Sequence, residues 1–236
     1  MSEYPLALVT GANRGIGLEF TQQLLRRAYR VVATCRSPDS ATELRRIRRS
    51  FPKQLEILTV EVDNPDDRKS MYAYFRQTHA VIDLLIHNAG IAHWDTFKDF
   101  SEAKIMESIQ INALSPLSIT RDMIPFLERS KNPRVALISS RVGSMQMTKE
   151  SGFKGFAYPM SKAVMNMAGV QLSEALKSKK IAVFSQSPGW VRTDMGGPDA
   201  TSSVSESVRS MLEIFEKMTF KQTGHFFSET GDVLPW

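Results

Sequence analysis

Leu6-Ala7-Leu8-Val9-Thr10-Gly11-Ala12-Asn13-Arg14-Gly15-Ile16-Gly17 is the stretch whose reading decides the fold. A short apolar run stopped at once by glycine reads as a strand buried inside a parallel sheet. Beyond it Phe20, Leu24 and Leu25 recur at helical spacing. Strand, glycine turn and helix are the parts of a nucleotide-binding βα unit. Gly11 allows the tight turn, Gly15 lets the backbone approach a pyrophosphate, and Gly17 lets helix and strand pack closely. The helix N-terminus then offers free N–H groups and a partial positive charge to the phosphates. The spacing is Gly-x-x-x-Gly-x-Gly, distinct from the common Gly-x-Gly-x-x-Gly.

Outward from this unit the pattern repeats. Further strands are expected at residues 30–35, 55–60, 82–86, 134–138 and 181–187, with a short one near 224–228. Helices are expected after Ser40 and near 66–77, 101–128 (as one long stretch or two), 157 onward and 208–215. Strands and helices alternate without repeat or linker, which reads as one α/β domain over residues 1–236. Hydrophobic content of 42% and charged content of 23% are ordinary for a soluble globular chain. The only cysteine, Cys35, excludes an intrachain disulfide and reads as a small buried residue. His79, His87, His93 and His225 offer no structural zinc pattern, so no metal is expected. The N-terminus lacks a signal peptide, and no apolar stretch approaches the ~20 residues of a membrane span. A soluble, cytoplasmic chain with no membrane partner is expected. The net charge is +5, with Arg45, Arg46, Arg48 and Arg49 crowded together. Without aromatic interleaving or a nucleic-acid motif, this run reads as a solvated face that draws an anionic cofactor, and no nucleic acid is expected.

The second strand ends in Cys35-Arg36-Ser37. An acidic residue usually stands there when a free ribose 2′-hydroxyl is preferred. Arg36, with Arg14 in the glycine turn, suits a 2′-phosphate instead, so NADPH is expected over NADH. The competing reading leaves Arg36 in solvent and Arg14 covering the turn. Asp63 has two readings: a hydrogen bond to an adenine amino group, or a helix cap before Pro65. The small residues of Asn88-Ala89-Gly90 leave room for a flat ring or ribose, and nothing marks His87 or His93 as a base.

Ala157-Tyr158-Pro159-Met160-Ser161-Lys162 carries the chemistry. Proline suits the first turn of a helix. Tyr158 and Lys162 stand four apart on one face, where an ammonium is expected to lower the phenol from near ~10. Such a phenol exchanges protons with a carbonyl or alcohol. Asn112, in the 101–128 helical stretch punctuated by Pro116 and Pro125, marks either a bend or a site. Ser139 and Ser140, past the fifth strand, could donate to a substrate oxygen.

Taken together, the glycine turn, Asn88-Ala89-Gly90, Asn112, Ser139-Ser140, Tyr158-x-x-x-Lys162 and Pro188-Gly189 resemble the short-chain dehydrogenase/reductase family in order and approximate spacing. Residues 139–144, the run 188–197 and Leu234-Pro235-Trp236 are similar to its sniffer carbonyl reductase and C-factor branch. The resemblance implies a Rossmann-type, doubly wound parallel sheet of about seven strands and a carbonyl/alcohol oxidoreductase. It implies that Ser140 polarises the substrate oxygen and Tyr158 exchanges its proton. Lys162 would hold the nicotinamide ribose, and Asn112 would support a water relay to that lysine. Asn88, Ala89, Gly90, Pro188 and Gly189 would frame ribose and nicotinamide, with Val191 and Thr193 beside them. Asn13, Ile16 and Asn64 complete the implied cofactor set. The substrate would be an aldehyde, ketone or quinone; the alternative is a C-factor-type signalling protein that binds cofactor with little turnover. A homodimer or homotetramer through the long helices is also implied. Two departures stand out: His87 replaces the family's asparagine, and Ser140 and Tyr158 are eighteen apart, about five more than usual. The extra residues are expected as a loop, 145–156, over the substrate pocket. Met145, Met147, Phe153 and Phe156, with Trp94, Trp190 and Met195, read either as an apolar pocket or as core.

Overall fold

A computed structural model describes residues 4–236. Residues 1–3, part of the N-terminus read for a targeting signal, lie outside the described residues. Strand β1 (Leu6–Thr10) is buried along its whole length, as its apolar run requires. It pairs in parallel with β2 (Arg30–Cys35) on one side and β4 (Leu84–His87) on the other. With β3 (Leu55–Thr59), β5 (Arg134–Ile138), β6 (Ala182–Gln186) and β7 (Phe226–Phe227) these form one parallel sheet, ordered β3-β2-β1-β4-β5-β6-β7. The order reverses between β1 and β4, and ligands of open α/β sheets bind at such a switch point.

Alternate residues of each strand face opposite sides, so the runs serve two cores. On one face Ala7, Val9, Val31, Ile86 and Phe184 meet α1 (Gly15–Arg26), α2 (Thr42–Ser50) and α8 (Val204–Lys217) through Phe20, Leu24, Leu44 and Phe215. On the other, Leu8, Val32, Leu85 and Val135 meet α3 (Pro65–Gln77), α5 (Ser115–Leu127) and α7 (Ala157–Ala175) through Phe75, Phe126 and Met165. This is the Rossmann-type α/β architecture.

One stretch differs from expectation and a second settles a reading left open. Residues 145–156 are not simply a loop: α6 (Met145–Ser151) occupies the first part, because the Ser144 hydroxyl accepts the Met147 N–H at 3.1 Å as a helix cap. Gly152, at φ 66°, ends it in the left-handed conformation. The 101–128 stretch is one helix in two parts, α4 (Glu102–Ile109) and α5, joined by a π turn at Gln110–Leu114. The Ser115 N–H and hydroxyl both reach the Gln110 carbonyl, the latter at 2.8 Å. Asn112 therefore sits in an inserted turn, a feature frequent at functional sites.

Candidate active site

A cleft of about 1160 Å³ opens at the carboxyl ends of the strands. At its first end the wall is main chain. Gly11 has φ +66°, and a Cβ there would lie 2.7 Å from the Ala89 Cα. A Cβ on Gly17 would lie 2.2 Å from the Gly11 carbonyl oxygen and 2.4 Å from the Asn88 amide nitrogen. Those contacts have no room for a side chain. Asn88 Nδ2 donates to the carbonyls of Thr10 (3.0 Å) and Gly11 (2.9 Å). The Thr10 hydroxyl accepts the N–H groups of Asn88 and Ala89 at 3.0 and 3.1 Å, lashing the exits of β1 and β4 together. Helix α1 starts with no side-chain cap and no acid in its first turn. Its free N–H groups and positive dipole end are left for an anion in the cleft, where Asn13, Arg14, Gly15 and Ile16 stand. Gly17 lies behind this wall rather than in it.

Past the glycine turn, Cys35, Arg36, Ser37 and Asp63 line the cleft. The Arg36 guanidinium is exposed and lies 3.9 Å from Glu61. Arg14 is ion-paired with Asp194 of the loop after β6. The helix cap belongs to Asn64, not Asp63: Asn64 Oδ1 accepts the Asp66 N–H at 2.9 Å. Asn64's side chain is thereby engaged at the helix start, while Asp63 stands in the cleft wall.

At the second end the wall is side chain. Ser140 follows β5 and lines the cleft with Tyr158, where its hydroxyl acts to lower the phenol. Tyr158 keeps some exposure to the cleft. Lys162 is buried, its Nζ donating to the Ile138 carbonyl at 2.8 Å and lying 5.6 Å from the Tyr158 ring centroid. The ammonium thus stands under the ring rather than beside the hydroxyl. Burial pushes the phenol up to about 12, with the Ser140 hydrogen bond opposing, and pushes Lys162 down to about 8. The expectation of a lowered phenol is corrected: desolvation dominates, and Ser140 rather than the lysine charge is what opposes it.

Asn112 is fully buried and does not line the cleft. Its Nδ2 donates to the Ile91 carbonyl and the Ser161 hydroxyl, both at 2.8 Å, and its Oδ1 accepts the Ile91 N–H at 2.8 Å. A Cβ on Gly90 would lie 3.0 Å from Asn112 Oδ1 and 3.7 Å from Lys162 Nζ, so the Asn88-Ala89-Gly90 segment runs between them. Pro188, Gly189, Val191 and Thr193 form the facing wall. His87 turns away, its Nε2 2.8 Å from the Thr120 hydroxyl, and burial pushes it down to about 3. Asn88 alone therefore serves the glycine turn. Trp94, Phe153, Trp190 and Met195 line the cleft; Met145, Met147 and Phe156 do not. Asp95, unmarked in the sequence by any motif, is nearly buried beside them and accepts N–H groups at the start of α7. Among the described residues no cluster could hold a metal ion, and no helix is long and apolar enough to cross a membrane.

The chain is similar to known proteins in sequence and fold. The short chain dehydrogenase family profile matches residues 5–203. C-signal of Myxococcus xanthus is 40% identical over 156 residues, 66% of this chain and 93% of that protein. The NADPH-bound carbonyl reductase from chicken fatty liver superposes with a TM-score of 0.93 at 33% identity, covering 100% of both chains. Carbonyl reductase Sniffer of Drosophila melanogaster superposes with a TM-score of 0.93 at 27% identity, covering 99% of this chain and 100% of its own. With its profile match, its sheet order and its Ser140–Tyr158–Lys162 arrangement, this chain belongs to the short-chain dehydrogenase family of oxidoreductases.

Proposed function

We propose that this protein is an NADPH-dependent reductase of apolar aldehydes, ketones or quinones. The observation that carries the reading is the Tyr158 phenol, 5.6 Å from Lys162 Nζ at its ring centroid and open beside Ser140 to a cleft whose other end is a glycine turn and an uncapped helix N-terminus. The cradle fits a dinucleotide: the Gly11 and Gly17 contacts bring main chain to the cleft, and α1 presents N–H groups to a pyrophosphate. Arg36, with Arg14 nearby, and no acid at the end of β2, suit a 2′-phosphate. The chicken reductase, similar over its whole length, is bound to NADPH. Asp63 would meet the adenine; Ala89, Gly90, Pro188, Gly189, Val191 and Thr193 would frame ribose and nicotinamide.

A nicotinamide cofactor held there would supply the hydride for the carbonyl carbon. Ser140 donates a hydrogen bond to the carbonyl oxygen, and Tyr158 gives its proton to the oxygen as negative charge develops there. Lys162, mostly protonated at neutral pH, stabilises the phenolate left behind and would hold the nicotinamide ribose. Asn112 locks Ile91 and Ser161, and so the separation of the β4 exit from α7. Trp94, Phe153, Trp190 and Met195 favour a flat apolar substrate. The whole chain would act as one domain. Met106, Leu114, Leu117, Met160, Val164 and Met167, exposed along α4, the π turn, α5 and α7, support assembly with a second copy, which sedimentation would test.

The deciding experiment is NADPH consumption against a panel of aldehydes, ketones and quinones, with Tyr158→Phe run in parallel. Turnover that collapses in the variant while NADPH still binds supports the reading; no turnover by the native protein contradicts it. The similarity to C-signal favours a second reading, a cofactor-binding signalling protein. Under it, a biological effect would survive Tyr158→Phe and fail when cofactor binding is lost.

A further inference from the structure

Helix α7 lacks a local cap. Its N-cap position is Phe156, which has no side-chain acceptor, and Pro159 in its first turn has no N–H. The acceptor comes from 61 residues away. Asp95 Oδ1 receives the Phe156 N–H at 2.8 Å and the Ala157 N–H at 3.2 Å, and Oδ2 lies 3.3 Å from the Ala157 nitrogen. Asp95 is only 7% exposed. A carboxylate so buried needs compensation, and here it comes from main-chain N–H groups at the positive end of a helix dipole.

The residue that follows these two N–H groups is Tyr158. The same loop grips it from the other side. Trp94 lies 5.3 Å from the Tyr158 ring, centroid to centroid, and Phe97 and Phe100 pack against Phe156 at 6.1 and 5.7 Å. Thr96 holds the loop's own turn, its N–H and hydroxyl both donating to Asp99 at 2.6 Å. Further along, α7 is anchored in the core by Met165 and Leu172, but Met160 in its first turn is exposed. The first turn, which carries the phenol, is held from the C-terminal side by buried Ser161, whose hydroxyl accepts from Asn112 and donates to the Tyr158 carbonyl at 2.7 Å, and at its N-terminal edge by Asp95.

We infer that Asp95 is the positioning residue for Tyr158: by capping α7 from the β4–α4 loop, it sets where the phenol stands relative to Ser140 and the substrate oxygen. This rests on Tyr158 acting as the proton donor. Misplacing a reacting group by about 1 Å can cost about 10²-fold in rate.

The test compares Asp95→Ala and Asp95→Asn with the native protein, measuring kcat and KM for a carbonyl from the panel, NADPH affinity, and amide hydrogen exchange in the first turn of α7. In Asp95→Ala, kcat is expected to fall about 10- to 100-fold and exchange at Phe156, Ala157 and Met160 to accelerate, with NADPH affinity and KM nearly unchanged. Asparagine keeps an Oδ1 that can accept both N–H groups, and is expected to recover most of the rate and of the protection. Retained kcat with a raised KM would make Asp95 a loop anchor and overturn the assignment. So would an asparagine variant no better than alanine, or a parallel loss of NADPH affinity. A native protein that reduces nothing on the panel defeats the reductase reading itself; turnover that needs Tyr158 but tolerates Asp95→Ala defeats only this assignment.

Discussion

At the glycine turn the cleft is walled by backbone: Gly11 and Gly17 leave no room for a Cβ, and Asn88 ties the carbonyls of Thr10 and Gly11. At the Tyr158 end it is walled by side chains, each oriented by a different part of the chain. Lys162 is held by the Ile138 carbonyl, Tyr158 is touched by Ser140, and the first turn of α7 is capped by Asp95. The first end is nearly self-contained within residues 10–17 and 88–89 and serves to hold a ligand. The second is assembled across distant segments and serves to move a proton. Binding and chemistry should therefore be separable by single substitutions.

The largest separation is expected at the chemical end. Tyr158→Phe removes the proton and keeps the ring, so kcat should fall by about 10²–10⁴, while NADPH affinity, measured by fluorescence titration, stays within about twofold of native. At the binding end, Gly17→Ala places a methyl group against the Gly11 carbonyl. Stability is expected to fall by about 1–3 kcal/mol, read from urea midpoints, with NADPH affinity reduced alongside. A variant that bound NADPH normally but turned over slowly would break the comparison.

Arg36→Ala should act on one end only, and on one cofactor. NADPH affinity is expected to fall about tenfold, as for loss of a hydrogen bond to a charged group, with NADH affinity unchanged. Equal losses for both cofactors would show that Arg36 does not read a 2′-phosphate. The smallest effect concerns His87, which serves neither end. Its folded pKa of about 3 lies below its ordinary 6.5. Between those values the unfolded chain binds a proton that the native protein refuses, so stability falls as pH drops through 6.5 towards 3. The slope from this group approaches about 1.4 kcal/mol per pH unit. His87→Asn should flatten the dependence of the urea midpoint between pH 6 and pH 5 while leaving NADPH affinity and kcat as they were.

The difference between the two ends also explains what could be read before folding. The glycine turn was legible because its requirements are steric and local: a strand, a φ above zero at Gly11 and a close approach at Gly17 leave their mark in adjacent residues. Tyr158 and Lys162 were legible through helical spacing. Their proton affinities were not, because those depend on burial by segments far away in sequence. The cap before Pro65 was read at Asp63 and falls on Asn64, because it could fall on either of two neighbours. Ser144 ahead of α6, and the Ser203-x-x-Glu206 capping box that begins α8 earlier than expected, were local signals that could have been used. Asp95 left no local signal; a lone acid in a loop reveals a cap only when the helix it serves has been folded against it.

The central claim is that proton transfer resides at Tyr158 and ligand binding at the glycine turn. The most direct measurement is a single-turnover rate for NADPH-saturated native protein and Tyr158→Phe, on one carbonyl that the native protein reduces. A rate lower by about 10²–10⁴ at unchanged NADPH affinity is the expected result. Equal rates in the two proteins would contradict it, leaving Tyr158 a wall of the cleft and the proton to come from another group.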